Sequence, residues 1–307
     1  MSNQLNFHLE SLPLVTYCIP VYNHEEYVAN AIKSIIYQDY KNIELIIIND
    51  GSTDNSSIAI KELESKCQAR FNRFIYIDRE NRGLSSTLNE ALIWSKGKYF
   101  AGLASDDLIK KDKVSKQVYF MERNNDCSAV FGSIELIDQC NHIYRKKTMP
   151  LAKYYFEDII CYNFILPAAT QFIRKKALQN ISFDEKLKIE DWYMYLRLTE
   201  ERNYYIARLP DILASYRRHD TNTSKNLSIM KEKILILKRY KNLPIYKKAK
   251  ANILLSISMD YAPFEFFNSI KYLFLAFKKD PYLLFTKKGT RATIKTFLPK
   301  FIMKKYQ

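Results

Sequence analysis

Glycine is scarce, with six in 307 residues, at positions 51, 83, 97, 102, 132 and 289. No G-x-G-x-x-G or G-x-x-x-x-G-K cluster can be assembled from them. That removes the phosphate loops a nucleotide-sugar pyrophosphorylase or a dinucleotide-dependent dehydrogenase would need. Cysteine is sparse and odd in number, at Cys18, Cys67, Cys127, Cys140 and Cys161, with no paired metal-binding or redox spacing; a reducing compartment fits best. No apolar run approaches the roughly 20 residues that span a bilayer. The first thirteen residues interleave polar and charged side chains, without the basic start and apolar core of a secretion signal. These absences lead us to expect a cytoplasmic protein.

What is abundant is positive charge: 48 Lys and Arg against 33 Asp and Glu, a formal +15. Such an excess favours an anionic partner, whether nucleic acid, an acidic membrane or a phosphorylated substrate. Hydrophobic residues at 47% and charged residues at 26% are ordinary for a globular chain, and the length allows one large domain with an appendage, or two domains. A nucleic-acid-binding protein is the competing class, since 23 Tyr and 18 Phe could stack on bases. Against it, the basic residues concentrate towards the C-terminus and no nucleic-acid-binding motif is present. No nucleic-acid partner is therefore expected.

Residues 14–19 and 43–48 read as buried strands, the first ended by Pro20 and the second by Asn49-Asp50-Gly51. Between them Val28, Ala31, Ile32, Ile35 and Ile36 recur at helical spacing, with Asn23 and Glu26 placed like a capping box. The pattern repeats with a strand at 74–77, a helix at 84–94, a strand at 99–103 and a helix at 112–122. Short strands are expected at 129–131 and 134–137, and a helix at 192–200. Alternation of this kind predicts an open, mostly parallel α/β sheet flanked by helices. Ligands bind such sheets beyond the carboxyl ends of the strands. Tyr22-Asn23, Asp50 and Asp106-Asp107 lie at those ends.

Two readings of each acidic motif stand side by side. Asp106 and Asp107 follow a strand directly, where two carboxylates suit a hard divalent cation that keeps coordination sites for phosphate oxygens; Asp before a helix is equally a cap. Asp50 is a ligand-facing carboxylate or a turn residue. Glu190-Asp191, before Trp192, is a catalytic pair or the acidic first turn of a helix.

Taken jointly, these motifs resemble family 2 glycosyltransferases of the GT-A fold, over about residues 13–224. Ile19-Pro20-Val21-Tyr22-Asn23 is similar to the family's opening strand and nucleotide-contacting turn. Ile48-Asn49-Asp50-Gly51-Ser52-Thr53-Asp54 resembles its second strand end and Glu80-Asn81-Arg82-Gly83 its third loop. Ser105-Asp106-Asp107 resembles its metal motif, Glu190-Asp191-Trp192 its general-base motif, and Tyr216-Arg217-Arg218-His219 with Ser224 its late donor-site loop. The resemblance implies an inverting, metal-dependent transfer from a nucleotide-sugar, with UDP favoured, to a hydroxyl of a glycan or lipid-linked glycan, as in bacterial polysaccharide biosynthesis. It implies that Pro20, Tyr22, Asn23, Asp50, Arg82, Asp106, Arg217 and Arg218 contact the donor, and that Asp106, Asp107 and His219 hold Mn2+ or Mg2+. Asp191 would be the base, with Glu190 beside it. Ala104 stands where many members carry an Asp, Leu88 where an Arg commonly precedes the helix Asn, and Ala91 where a Gly is usual. The downstream Gln and Arg-Trp motif of processive members is absent, which implies one addition per visit. An inactive relative acting as a scaffold is the remaining alternative; the four carboxylates Asp50, Asp106, Asp107 and Asp191 argue against it.

The expected organisation is an arm at 1–12, a GT-A domain at 13–224 and a basic amphipathic helical extension at 225–307. The GT-A domain divides into a nucleotide-binding half, 13–110, and an acceptor half, 111–224. Residues 261–307 hold ten Lys and Arg against two acidic residues. Phe266, Phe267, Ile270, Leu273, Phe274 and Phe277 form one helical stripe, and Ile294, Phe297, Leu298, Phe301 and Ile302 a second. Either stripe packs on the enzyme or lies on anionic lipid at the inner face of the cell membrane.

Overall fold

The computed structural model describes residues 12–201, 203–218 and 229–298. His219, Ser224, Phe301 and Ile302 lie outside the described residues, as do positions 1–11 of the expected arm. The chain divides into two compact units. Segments 154–165 and 186–202, expected within the acceptor half, belong with the C-terminal helices rather than with the sheet.

The first unit is built on strands β1 (Val15–Val21), β2 (Ile43–Asp50), β3 (Arg73–Arg79), β4 (Tyr99–Gly102), β5 (Leu108–Ile109), β6 (Cys127–Ile137), β7 (Ile143–Lys147), β8 (Ala152–Tyr154), β9 (Ile173–Arg174) and β10 (Tyr205–Arg217). Their order is β3-β2-β1-β4-β9-β6-β10-β5, with β7 beside β6. The β1–β2, β1–β4, β2–β3 and β6–β10 pairs are parallel, whereas β9 runs antiparallel to both β4 and β6. Helices α1 (Val28–Ile36), α2 (Ser56–Lys61), α3 (Glu64–Arg70), α4 (Leu84–Trp94) and α5 (Lys113–Glu122) accompany it. Helix α1 buries Val28, Ala31, Ile32 and Ile35, the i, i+3, i+4, i+7 face read from the sequence, in one core with Tyr17, Ile19, Leu45 and Ile47.

Three local expectations change. Pro20 does not end β1 but pairs with Ile48 inside it. The Cys18 carbonyl accepts from Leu103 on the β4 side. Pro20, two residues on, faces that same side past the end of β4, so its missing N–H breaks no ladder bond. Asn23 and Glu26 form no capping box; α1 starts at Val28 without a side-chain cap, and Asn23 has φ +52°. The short strands at 129–131 and 134–137 are one buried eleven-residue strand, β6. Gly132 permits this, because a Cβ there would lie 2.5 Å from Leu213 on β10.

The second unit comprises α6 (Phe156–Ile160), α7 (Glu190–Leu198), α8 (Ile229–Lys238), α9 (Tyr246–Tyr261), α10 (Phe266–Lys279), a 3-10 turn (Pro281–Phe285) and α11 (Lys287–Phe297). Its C-terminal core is Ala251, Leu254, Leu255, Leu273, Ala276, Leu283 and Ala292. Of the first predicted stripe only Leu273 is buried; Phe266, Phe267 and Phe274 are exposed.

In the first unit Lys113 is fully buried, donating to the Tyr17 hydroxyl at 2.8 Å and lying against the Tyr17 and Phe172 rings. Burial pushes its amine down to about 7. In the unfolded chain the group titrates near 10.4. Between about pH 7 and 10 the unfolded chain therefore binds more protons than the folded one, and this group makes stability climb with pH. We expect Lys113→Met to raise the urea midpoint at neutral pH and to flatten that climb. An undiminished climb in the variant would assign it to another group.

Candidate active site

The parallel strands β1, β2 and β4 end on one side of the sheet, and the loops that follow are tied together by side chains. After β1, Tyr22 is half exposed, and the left-handed turn at Asn23 aims its carboxamide at the next loop, where Oδ1 accepts from the Thr53 amide at 2.8 Å. The Asn23 amide donates to Ser52 Oγ at 3.0 Å, and the Glu25 amide to Asp54 Oδ2 at 2.9 Å.

Asp50, at the end of β2, is buried and accepts from three donors at the end of β3 and in the loop after it. These are the Arg79 guanidinium and the amides of Arg82 and Gly83, at 2.8 and 2.9 Å. Gly51 makes that approach possible: its φ is +72°, and a Cβ would strike the Asn81 amide at 2.5 Å. The Arg82 side chain is left exposed.

Asp106 and Asp107 occupy the turn after β4 and are both buried. Burial, then the charge of Asp106, drives the Asp107 carboxyl well above the usual carboxylate range, against the pull of the Arg217 amide and charge. Arg217 is fully buried at the end of β10. Its amide donates to Asp107 Oδ1 at 2.8 Å and its Nε to the Asp106 carbonyl at 2.8 Å. Nη1 donates to the carbonyls of Asp138 and Gln139 at 2.6 and 3.0 Å, and Nη2 to Asn141 Oδ1 at 2.6 Å. The guanidinium thus points inward, over the Tyr27 ring at 4.7 Å, whereas Arg218 is exposed. Two hard oxygen donors pressed together with like charge fit a divalent cation, which would relieve the repulsion that raises Asp107. His24, missed in the sequence, lies 2.7 Å from Ser105 Oγ and braces the same turn. Asp138, Cys140 and His142, on the β6–β7 turn, are a grouping of three potential metal ligands among the described residues. Asp138 already accepts there from the amides of Cys140 and His142.

In the second unit Glu190 and Asp191 open α7, where the helix dipole favours negative charge. Asp191 Oδ1 accepts from the Trp192 amide at 2.6 Å, and Glu232 Oε2 accepts from the Lys188 and Ile189 amides at 2.7 and 3.1 Å. Trp192 is pinned by its indole N–H on the Ile159 carbonyl at 2.9 Å and by the Tyr162 ring edge at 5.1 Å. Lys233 lies over that ring at 4.2 Å and pairs with Asp260 at 2.6 Å. Burial, then the Asp191 charge, pushes Glu190 up to about 8, and burial also raises Asp191.

The family model for glycosyl transferase family 2 matches residues 16–186. An uncharacterized glycosyltransferase of Rickettsia bellii is 31% identical over 227 residues, covering 72% of this chain; the chain spans about a third of that relative's length, 32%. Among solved structures, Staphylococcus aureus TarS 1-349 in complex with UDP-GlcNAc matches with TM-score 0.62 and 16% identity, over 96% of this chain and 92% of that one. The mannosyltransferase PcManGT of Pyrobaculum calidifontis, in complex with GDP-Man and Mn2+, matches with TM-score 0.63 and 14% identity, over 96% and 87%. These structural likenesses establish the GT-A fold.

The two arginines of the late loop should separate in unfolding experiments. Arg217→Gln removes a buried charge whose guanidinium donates to four acceptors, and it should cost about 3–5 kcal/mol in chemical denaturation. Arg218→Gln should stay within about 0.5 kcal/mol. Equal losses at the two positions would contradict the inward placement of Arg217.

Proposed function

The chain belongs to glycosyl transferase family 2, and from that premise we propose that it moves a hexosyl or N-acetylhexosaminyl group from a nucleotide-sugar, with inversion, onto a hydroxyl of a glycan or lipid-linked glycan at an anionic membrane surface. The observation that carries the reading is the buried Asp106–Asp107 pair at the end of β4, held by Arg217. In relatives of the same fold, one structure is a complex with UDP-GlcNAc and another with GDP-Man and Mn2+. Both donor classes are nucleoside diphosphate sugars, and we favour UDP.

Tyr22 packs on the donor base, with Pro20, Asn23 and Asp50 shaping the pocket around it. Asp50 acts chiefly by holding the third loop, which presents Arg82. Asp106 and Asp107 hold a divalent cation, joined in this proposal by His219. When bound, the cation neutralises charge on the departing diphosphate. Arg218 adds a cation for that diphosphate, and Arg217 positions the two carboxylates. Asp191 takes the proton of the acceptor hydroxyl as its oxygen attacks the anomeric carbon. One C–O bond forms, the bond from the anomeric carbon to the diphosphate oxygen breaks, and the nucleoside diphosphate leaves. A single displacement of this kind inverts the anomeric centre.

Slow hydrolysis of UDP- and GDP-sugars, measured with and without Mn2+ and after EDTA, should name the donor and show a metal requirement. Asp107→Asn should lose the Mn2+ stimulation; stimulation at the wild-type level would remove Asp107 from the site. For the base, Asp191→Asn should slow transfer by about 10² to 10⁴ with donor affinity unchanged, while Glu190→Gln keeps most of the rate. Because burial raises Asp191, the wild-type rate should fall with acidification at a pH above the ordinary carboxylate range. A rate that stays flat down to pH about 4 would reject Asp191 as the base.

A further inference from the structure

The C-terminal helices of the second unit pack on a core that includes Leu254, Leu255, Leu273 and Leu283, yet leave a row of aromatic side chains outside it. Small and hydroxyl side chains meet where α9, α10 and α11 pack: Ser258, Ser269 and Ala276 with Gly289, Ala292 and Thr296 are all buried. Ser258 Oγ donates to the Ser269 carbonyl at 2.8 Å, and the hydroxyls of Ser269 and Thr296 are 2.8 Å apart. A Cβ on Gly289 would lie 1.8 Å from the Leu283 carbonyl, so only glycine allows that approach. Several of the largest side chains point the other way. Phe267 is 86% exposed, Phe285 87% and Tyr282 81%, and Phe274, Ile294 and Phe297 are exposed as well. A helix face made for water carries polar side chains there instead. Close packing through small residues with hydrogen-bonded hydroxyls is what helices use where the surroundings are as apolar as their own large side chains.

The exposed stripe of α10 sharpens this. Phe267, Lys271, Phe274 and Lys278 follow at i, i+4, i+7 and i+11, all exposed, opposite the buried Ser269, Leu273 and Ala276. Aromatic rings alternate with lysines whose stems can reach outward from an apolar layer. At 14 residues α10 is about 21 Å long, and no helix among the described residues is long and apolar enough to cross a membrane. Such a helix lies in the interface instead. The Phe266 and Phe297 rings, 6.1 Å apart, join the patches of α10 and α11.

Resting on the membrane part of the function proposed above, we propose that α10, the 3-10 turn and α11 insert their aromatic face into the outer hydrocarbon of an anionic bilayer. The lysines then sit among the headgroups. Charge decides the occupant: Lys271, Lys278, Lys279, Lys287 and Arg291 are exposed on these elements. A second copy would meet the face with the same sign, whereas anionic lipid neutralises it.

The test uses the full chain carrying Phe267→Trp, with vesicles of phosphatidylcholine alone or containing about a third phosphatidylglycerol, at about 0.1 and 0.5 M salt. The expected result is binding to the anionic vesicles that persists in part at high salt. Emission from the introduced indole, taken as the difference from the parent chain, should shift to the blue and be quenched by brominated acyl chains. The triple variant F267S/F274S/F285S should lose the salt-resistant part, with affinity falling at least about tenfold. Its thermal midpoint should be unchanged, since all three side chains are exposed. Binding that vanishes at high salt without quenching would leave adsorption to the membrane standing and overturn insertion. Absence of binding to either vesicle, with a concentration-dependent dimer abolished by the same serines, would overturn both and make the face a protein interface.

Discussion

A buried guanidinium holds the candidate donor side of this protein in register. Arg217 has no exposed surface, and five hydrogen bonds from its amide and side chain fix the Asp106–Asp107 turn and the β6–β7 turn to the end of β10. A charge placed there is tolerated only because nearly every donor has a partner and because two carboxylates lie beside it. The dependence is mutual. Without the arginine the two Asp side chains would repel each other unopposed, and without them the guanidinium would be an uncompensated charge in a core.

The two acidic motifs follow one electrostatic logic on different scaffolds. Each is a pair of neighbouring carboxylates, partly withdrawn from water, in which burial and mutual repulsion raise one member above the ordinary carboxylate range. On the sheet, the relief comes from Arg217 and suits a cation. On α7 it comes from the helix N-terminus and from Lys233, while Glu232 takes the two amides ahead of the helix. Burial raises both members of that pair, and the charge of Asp191 adds to the rise at Glu190.

Much of this was legible because it is local. Helix α4 falls on the limits read from periodicity, and the face of α1 is the one its apolar spacing predicts. What was not legible acts at long range. Asn23 looked like a cap because its place in the sequence allows one, yet its carboxamide serves a loop thirty residues on. Lys113 beside Tyr17, and Glu232 ahead of α7, pair across separations that no periodicity encodes. Arg217 and Arg218 are adjacent and identical in type, and only the fold turns one inward. In the C-terminal helices the apolar spacing marks the helices, whereas which side chains are buried depends on their neighbours: Leu273 packs into the core while Phe267 and Phe274 stay exposed.

The outward-facing aromatics of α10 and α11 bear on how the purified protein behaves in bulk solution. Like charge is what keeps two molecules apart when each shows several large rings to water, and the formal +15 provides that repulsion. Added electrolyte shortens its reach while strengthening the tendency of the rings to leave water. Colloidal stability should then be greatest in dilute buffer, salting-out should set in early, and mild detergent should cover the exposed rings.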